Sequence, residues 1–389
     1  MRLAIVGPAY PLRGGIALHT AEMARAACDR GHAVEVVSFR RLYPAALFPG
    51  RSQLDPGPPP AASSRYLTTA SLDSLSPSSW RRAGRALAAR APDLVVVQRW
   101  HPFFAPALAG VVRRPRQTGA RVVWMMHNVR PHERSARWLR PLYAYGIAAT
   151  DVCLTHAASV AHELAVLRPE TRVEELRHPA PASLAARDDP AASRQALGIA
   201  PDEVVFLFFG YVRHYKGVDV LLDALAELPP EGPPWRAVIA GEWYIDRAAA
   251  DRAIARAPLA GKVVLEDRYV PDAEVGRYLA AATVVVAPYR DGTQSGVVPL
   301  AYAHGRGVIV GNVGGLPEAV DSGETGLLVP PGDRHALAAA LEEVRRGRRF
   351  STSAIAAAHA RSSWTPFITT LESLAPDSHA RGTRRAEPR

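Results

Sequence analysis

Two cations stand three residues apart in the segment FLFFGYVRHYKGVDVLL, in which an apolar run ends at Gly210. Arg213 and Lys216 follow that run, and Gly217 opens a stretch with helical spacing. The carboxyl end of a buried parallel strand is where open α/β sheets bind ligands. Two cations there hold a diphosphate from both sides and neutralise its charge as it leaves. A solvated basic loop is the alternative, but Lys216 is one of only two lysines in an arginine-rich chain, which favours phosphate binding.

A glycine pair follows the first apolar run of the chain, where the sequence reads GPAYPLRGGIALHTAEM. Gly14 and Gly15 lie where a strand would lead into a helix, so their backbone N–H groups are candidates to approach a phosphate or a sugar. The spacing differs from G-x-G-x-x-G, and a dinucleotide cofactor is therefore not predicted. A tight turn that needs a positive φ explains the pair equally well.

A third candidate region contains the polar loop DGTQSG and, further on, the run GNVGGLPE. Thr293, Gln294 and Ser295 precede a predicted helix and, with the backbone of Gly296, offer donors for phosphate and sugar hydroxyls. Glu318, at the end of the second run, is a candidate acceptor for a hydroxyl group. Ordinary loop and capping chemistry explains each of these residues as well when it is taken alone.

A repeated pattern of short apolar run, turn and helical stretch must position these segments. The runs are rich in Val and Ile and apolar on both faces, as in parallel strands covered by helices, and their alternation predicts doubly wound α/β sheets. The first set of predicted strands is Leu3–Val6, Val34–Phe39, Leu94–Gln98, Val122–His127, Val152–Thr155 and Val173–Leu176. The second set is Val204–Phe209, Ala237–Ala240, Val263–Glu266, Val284–Ala287 and Val308–Val310.

The two sets of strands predict two Rossmann-like domains, over residues 1–180 and 201–350. The loop-like strings HPAPAS and DDP place a linker between them, at 181–200. A helix within 351–375 is expected to pack back on the N-terminal domain. Residues 376–389 are expected to form a disordered tail.

Composition excludes several classes of protein. Of the 389 residues, 48% are hydrophobic and 22% are charged, which excludes a disordered chain, a collagen and a disulfide-stapled miniprotein. Cys28 and Cys153 are far apart without metal-ligand spacing, which indicates free thiols in a reducing cytoplasm. No apolar run approaches the roughly 18 residues of a spanning helix, and the first run is too short for a signal peptide. We therefore expect a cytoplasmic protein.

The formal net charge is +10, and all but two of the 47 basic residues are arginine. No arginine-rich block is interleaved with aromatic residues, so a nucleic-acid partner is not predicted. The excess charge fits a phosphate-bearing substrate, or a loose peripheral contact with the anionic inner face of the cell membrane.

Taken together, these segments resemble the family-four (group 1) retaining glycosyltransferases of the GT-B fold, over nearly the full chain. The resemblance rests on GGI near the N-terminus, His127–Asn128, GYVRHYKG, VGGLPEAVDSGETGLLVPPGD and Trp364 in a C-terminal helix. It implies two Rossmann-like domains that face each other across a cleft. It also implies transfer of a sugar, with retention, from a nucleotide diphosphate sugar to an acceptor hydroxyl of a growing glycan or a lipid-linked saccharide.

The resemblance also implies roles for individual residues. Arg213 and Lys216 match the cations that grip the donor diphosphate, and Gly15 matches the glycine whose backbone approaches it. His127 matches the histidine that positions and polarises the reacting sugar; a strand-end histidine satisfied by backbone is the alternative. The region of Glu318 matches the loop near the donor nucleotide.

Two departures from the family pattern leave the donor open. Tyr211 stands where most relatives have an arginine, and we expect Arg213 to reach the same phosphate. The E-x7-E pair of the family is absent, because Gly292 and Leu300 occupy its positions with TQSG between them. The first glutamate usually touches the transferred sugar and the second the ribose. The TQSG form resembles a variant of the same family.

No metal cofactor is expected, because the cations and the helix N-termini supply the positive charge and no D-x-D motif is present. Two alternatives to a transferase stay open. A nucleotide-sugar epimerase on the same fold would need no acceptor. A non-catalytic nucleotide-sugar-binding protein is favoured by the missing glutamates, whereas Arg213, Lys216 and His127 argue against it.

Overall fold

Buried parallel strands build both halves of the chain in a computed structural model, which describes residues 1–44, 48, 50–130, 141–185 and 188–376. These residues form two compact units. The first unit comprises the described residues of Met1–Phe48, Ser52–Leu176 and Trp364–Arg389. The second unit comprises the described residues of Pro49–Arg51 and Arg177–Ser363.

Seven parallel strands form the sheet among the described residues of the first unit, in the order β3-β2-β1-β4-β5-β6-β7. The strands are β1 Arg2–Val6, β2 Ala33–Arg41, β3 Leu67–Asp73, β4 Leu94–Arg99, β5 Arg121–Met126, β6 Val152–Thr155 and β7 Val173–Glu175. Its helices are α1 Gly15–Asp29, α2 Pro77–Ala89, α3 Ala105–Gln117, α4 Pro141–Ala144, α5 Ala158–Leu167 and, after the second unit, α13 Trp364–Leu374.

Helices cover both faces of this sheet. In β1, Leu3 and Ile5 pack with residues of α1 and α13, whereas Ala4 and Val6 pack with residues of α2, α3 and α5. Successive strand residues point to opposite faces, so a strand covered on both sides is apolar at every position. This is why the central strands read as continuous apolar runs.

Six parallel strands form the sheet of the second unit, in the order β10-β9-β8-β11-β12-β13 within the described residues. The strands are β8 Val204–Phe209, β9 Trp235–Ala240, β10 Val263–Glu266, β11 Val284–Ala287, β12 Gly307–Gly311 and β13 Gly326–Val329. The helices are α6 Pro190–Ala196, α7 Val218–Ala226, α8 Ala248–Ile254, α9 Asp272–Ala281, α10 Val297–Ala303, α11 Arg334–Arg345 and α12 Thr352–Arg361.

The prediction of two doubly wound parallel sheets is confirmed, but two strands were missed. Both β3 and β13 lie at the edge of a sheet. An edge strand pairs on one side only and is partly exposed, as the exposed residues of β3 illustrate. Its sequence, LTTASLD, is therefore not a continuous apolar run.

The expected linker over 181–200 differs from the structure, because this segment is part of the second unit. Asp189 caps α6 by accepting a hydrogen bond from the Ala192 N–H at 2.7 Å. Arg194 on α6 then donates to the carbonyl of Ala281 at the end of α9. The polar composition of the segment 181–200 therefore reflects a capped surface helix.

The C-terminal segment 351–375 is divided between the units. The helix α12 lies in the second unit, whereas α13 lies in the first, where Trp364, Phe367 and Leu371 join the core beside α1. The predicted disordered tail begins at Pro376, and residues 377–389 lie outside the described part of the chain.

Removal of α13 is expected to unfold the first unit. A chain that ends at Ser363 loses Trp364, Phe367 and Leu371 from its core, and each such loss costs about 2–5 kcal/mol against a total stability of about 5–15 kcal/mol. Thermal unfolding should show loss of the transition or a large drop in Tm. A chain that ends at Pro376 keeps α13 and is the control; equal Tm values for the two truncations would contradict this account.

Candidate functional site

A tight loop joins β8 to α7 and carries both predicted cations. After β8, Gly210 has a φ of +100°, residues His214–Lys216 form one 3₁₀ turn, and Gly217 has a φ of +70° at the start of α7. A Cβ at Gly217 would collide with the carbonyl oxygen of Pro288, which follows β11. Glycine therefore lets this loop pack directly against the loop after β11.

The loop brings Arg213 and Lys216 to the same end of the sheet. The guanidinium carbon of Arg213 lies 4.7 Å from the ring centre of Tyr244, and Nζ of Lys216 lies 5.4 Å from that of Tyr289. Burial lowers the pKa of Lys216, and the positive charge of Arg213 lowers it further. Lys216 has no ion-pair partner in the described part of the chain. A bound anion would offset both effects.

Tyr211 stands where the sequence resemblance implies an arginine, and its ring packs beside the ring that Arg213 contacts. Its ring centre lies 4.8 Å from that of Tyr244, the ring over which the Arg213 guanidinium lies. Stacking and cation–π contacts of this kind restrict the orientation of a long flexible cation. The aromatic pair therefore helps to orient Arg213.

The TQSG loop and the GNVGGLPE run, predicted separately, lie against each other. The Gly315 N–H donates to the Thr293 carbonyl at 2.9 Å, and Nε2 of Gln294 lies 3.5 Å from the Gly315 carbonyl oxygen. The two loops follow the neighbouring strands β11 and β12. They form one polar edge at the same end of the sheet as Arg213 and Lys216.

The predicted residues of this edge differ in exposure. Thr293 and Gln294 are half-buried and Gly296 is exposed, whereas Ser295 is buried. The Ser295 hydroxyl lies 3.1 Å from the Tyr289 hydroxyl and accepts from the Val297 N–H at 3.3 Å. Ser295 therefore supports the loop from inside.

Glu318 is exposed on a separate 3₁₀ turn, Pro317–Ala319. Its backbone carbonyl accepts a hydrogen bond from Arg177 at 3.4 Å. The turn begins two residues after Gly315, so Glu318 stands next to the edge formed by the two loops.

The two positions of the absent E-x7-E pair have unlike surroundings. A Cβ at Gly292 would make ordinary contacts of 3.5 Å with Tyr289 and 3.8 Å with Leu316, so this position has room for a side chain. Leu300 is 4% exposed on the buried face of α10. A glutamate at Leu300 would be desolvated among apolar neighbours, so this position is structural here.

In the first unit, the two glycines before α1 have different surroundings. Gly14 has a φ of +109° and a ψ of 170°, a conformation that is essentially restricted to glycine. At Gly15, the first residue of α1, nothing lies within 4 Å of the position of a Cβ. The tight turn thus accounts for Gly14, while Gly15 borders open space.

His127 follows β5 directly and is half-buried. Its Nε2 lies 2.6 Å from Oε1 of Gln98 on β4, so its ring is held by a side chain as well as by the backbone bond of its N–H to Arg99. The ring of His19 on α1 stands edge-on to it, with the centres 4.9 Å apart. The helix that begins at Gly15 therefore contacts His127.

His19 and His156 were missed by the sequence analysis. Their Nε2 atoms lie 3.1 Å apart, and Nδ1 of His156 lies 2.9 Å from the Leu176 carbonyl oxygen. The one available signal is position, because His156 follows β6 and His19 lies near the start of α1. Within the described residues, no three His, Cys, Asp or Glu side chains are arranged to hold a metal ion.

Each unit thus gathers its own group of predicted residues. Gly210, Arg213, Lys216 and the two polar loops meet at one end of the second sheet. Gly15 and His127 meet through His19 at the carboxyl ends of strands in the first. No helix in the described part of the chain is long and apolar enough to span a membrane.

The glycine pair gives a stability prediction. Gly14→Ala should lower the free energy of unfolding by about 1–3 kcal/mol, because alanine rarely adopts this backbone conformation. Gly15→Ala should leave stability unchanged or raise it slightly, because the position is helical and unobstructed. Urea unfolding of the two variants and the unmodified chain measures both effects. Equal destabilisation by the two substitutions would show that Gly15 is also constrained by the turn.

Comparison with known families matches both halves of the chain. Residues 203–346 match the family described as "Glycosyl transferases group 1", and residues 13–177 match "Glycosyltransferase Family 4". The chain is 29% identical over 348 residues to a D-inositol 3-phosphate glycosyltransferase of Kribbella flavida, covering 82% of this chain and 79% of that protein. It is 33% identical over 159 residues to a lipopolysaccharide core biosynthesis mannosyltransferase of Rhizobium meliloti, covering 38% of this chain and 43% of that protein.

Solved structures share the fold over the whole chain. A sucrose-phosphate synthase from Thermosynechococcus elongatus has a TM-score of 0.74 at 17% identity and covers 100% of both chains. The Anabaena protein HepE, in complex with UDP and glucose, has a TM-score of 0.73 at 18% identity and covers 96% of this chain and 100% of that one. The chain is therefore a glycosyltransferase that uses a nucleotide sugar and has the GT-B fold.

Proposed function

We propose that the chain transfers a sugar, with retention of anomeric configuration, from a nucleoside diphosphate sugar to a hydroxyl of a growing glycan or a lipid-linked saccharide. UDP is the first nucleotide to test, because HepE binds UDP and UDP-glucose. The observation that carries the proposal is the convergence of Arg213 and Lys216 at the carboxyl end of β8, with no ion-pair partner for Lys216 in the described part of the chain.

In this proposal the two cations stabilise the leaving group. As the bond from the sugar to the diphosphate breaks, negative charge accumulates on the diphosphate, and preorganised cations in a poorly hydrated site lower the energy of that state. Lys216 is desolvated, so its interaction with an anion is stronger than that of a surface lysine. The built-in charge is the reason that we propose a metal-independent reaction.

The sugar itself would be held by groups that differ from those of most relatives. We assign Thr293, Gln294 and the backbone around Gly296 to the donor, in place of the absent glutamates. Ser295 supports that loop from inside. We assign His127 to the positioning and polarisation of the transferred sugar, and Gly15 to backbone contact with the diphosphate, because no side chain obstructs its approach.

Loss of the Lys216 ammonium group should lower the rate of sugar transfer more than it lowers the stability of the fold. We expect Lys216→Ala to lower kcat/KM by roughly 10²–10³, the effect of removing one preorganised charge-stabilising group, and Arg213→Ala to act similarly. The assay measures release of the nucleoside diphosphate and formation of the glycosylated acceptor, in excess EDTA. Complete loss of activity in EDTA that Mg²⁺ restores would contradict the metal-independent reaction.

The second lysine of the chain supplies the control. Lys262 lies over the ring of Trp235, with Nζ 5.0 Å from the ring centre. It directly precedes β10 and is not in the loops after β8, β11 or β12 that carry the candidate residues. Lys262→Ala should keep kcat/KM. Equal activity of Lys216→Ala and Lys262→Ala would refute the diphosphate assignment, and a donor whose sugar changes without any acceptor would identify an epimerase.

A basic surface on the first unit supports a peripheral membrane contact. Helices α2 and α3 pack side by side and contain no Asp or Glu. Their exposed residues include Arg81, Arg82, Arg85 and Arg113, and none of these four forms a hydrogen bond or ion pair within the described part of the chain. Leu75, just before α2, is 51% exposed. Cationic helices next to an exposed aliphatic side chain suit an anionic lipid surface.

We therefore place the enzyme at the cytoplasmic face of the membrane, with this α2/α3 arginine face toward anionic lipids. A lipid-linked acceptor would be reached from that position. The two free thiols fit a reducing compartment. Aromatic side chains suited to stacking on bases are absent from the exposed residues of α2 and α3, so the same surface suits lipid better than nucleic acid.

Charge reversal tests the membrane contact. Arg81→Glu with Arg85→Glu should weaken binding to vesicles of phosphatidylcholine and phosphatidylglycerol by roughly 30-fold or more, because each arginine near an anionic leaflet contributes about 1 kcal/mol. Sedimentation with these vesicles, at low and high salt, measures the effect. The matched control is Arg252→Glu with Arg256→Glu on the second unit, which has the same spacing, exposure and charge change. Equal weakening by both pairs would indicate binding by net charge alone.

A further inference from the structure

A buried amide interrupts the apolar sequence of a central strand. Gln98 follows Leu94–Val97 in β4 and is 0% exposed. The neighbouring strand β1 ends just before Gly7, where a Cβ would lie 2.6 Å from Cγ of Gln98. The side chain of Gln98 therefore occupies space that the absence of a side chain at Gly7 leaves open.

The stability of the sheet does not explain this amide. Nε2 of Gln98 is buried and has no hydrogen-bond partner within the described residues. A buried N–H without an acceptor destabilises a fold, and an apolar residue of similar shape would avoid that loss. The contact that Gln98 does make is with His127, whose Nε2 lies 2.6 Å from Oε1 of the amide.

We propose that Gln98 is a positioning residue that fixes the tautomer and orientation of His127. A carboxamide oxygen only accepts hydrogen bonds, so the imidazole must donate from Nε2. Neutral His127 then carries its proton on Nε2 and has Nδ1 as its basic nitrogen. The hydrogen bond of one ring nitrogen decides which chemistry the other performs. The inference rests on the proposed function, which assigns His127 to the transferred sugar.

The neighbouring histidines reinforce one arrangement of protons. The Leu176 carbonyl accepts from Nδ1 of His156, so in neutral His156 the Nε2 atom is an acceptor. Nε2 of His19, 3.1 Å away, then donates to it. The ring of His19 packs edge-on against His127 at 4.9 Å and limits its rotation. Gln98 supplies the side-chain hydrogen bond to that ring.

Gln98→Met separates this role from a structural one. Methionine keeps the unbranched shape and removes both the acceptor and the buried N–H. We expect Tm to stay equal or rise while kcat falls about 10- to 100-fold, which is a part of the roughly 10²–10⁴ that a positioned acid or base contributes. KM for the donor should change little. Gln98→Glu restores an acceptor, so it should recover part of kcat and shift the pH dependence of kcat to higher pH, because the carboxylate favours the protonated imidazole.

The direct readout is the tautomer of His127. Long-range proton–nitrogen NMR correlations of histidine-labelled protein distinguish the two neutral tautomers, and a His127→Ala sample assigns the signals. We expect His127 to be the Nε2–H tautomer alone in the unmodified chain and a mixture of both tautomers in Gln98→Met. The Nδ1–H form in the unmodified chain would overturn the proposal whether or not the protein transfers sugar.

Thr20→Val is the matched control for activity. Thr20 is also 0% exposed and next to Gly7, but its hydroxyl donates to the Ile16 carbonyl in its own helix. This variant should keep kcat and the His127 tautomer. In a His127→Ala background, Gln98→Met should cause no further loss. A further loss of the same size, or normal kcat in Gln98→Met alone, would refute the positioning role, whereas an inactive unmodified chain with the Nε2–H tautomer would count against the proposed function only.

Discussion

Strands that are covered by helices on both faces can expose polar side chains only at their ends. In both sheets the buried strands are apolar at nearly every position, and the chemistry begins at the first residues after them. Gly14 ends the loop after β1 and Gly15 begins α1, His127 follows β5, and Arg213 and Lys216 follow β8. In a parallel sheet all carboxyl ends lie along one edge, so residues far apart in sequence become neighbours. The group of candidate residues in each unit depends on this constraint.

Close backbone packing converts that shared edge into a defined surface. Gly217 lets the cation loop pack against the carbonyl of Pro288, and the Gly315 N–H bonds to the Thr293 carbonyl. These contacts hold Lys216 in a desolvated position near a second cation, which lowers its pKa. Such an arrangement stabilises an anion and is costly without one, which is the electrostatic basis of the proposed diphosphate site.

The departures from the family pattern have distinct structural consequences. Tyr211 stands where the resemblance implies an arginine, and it packs against Tyr244, the ring over which Arg213 lies. Leu300 replaces a glutamate and is part of the apolar interior, so its position has a packing role. Gly292 is buried, where a Cβ would make ordinary contacts with Tyr289 and Leu316, and the adjacent Thr293 and Gln294 are the polar groups that we assign to a donor sugar.

The two parallel sheets were predictable from the order of residue types alone, because buried strands must be apolar on both faces and therefore form continuous apolar runs. The sequence also identified the cation loop and the polar loops, since glycine and charge at strand ends are local signals. The edge strand β3 was not predictable in this way, because partial exposure interrupts its apolar pattern, whereas β13, which reads GLLV, was missed although it is apolar. Only tertiary structure decided that Ser295 faces inward, that Gly14 and Gly15 differ, and that Gln98, His19 and His156 surround His127. These facts depend on contacts between residues distant in the chain, which no local pattern of residue types records.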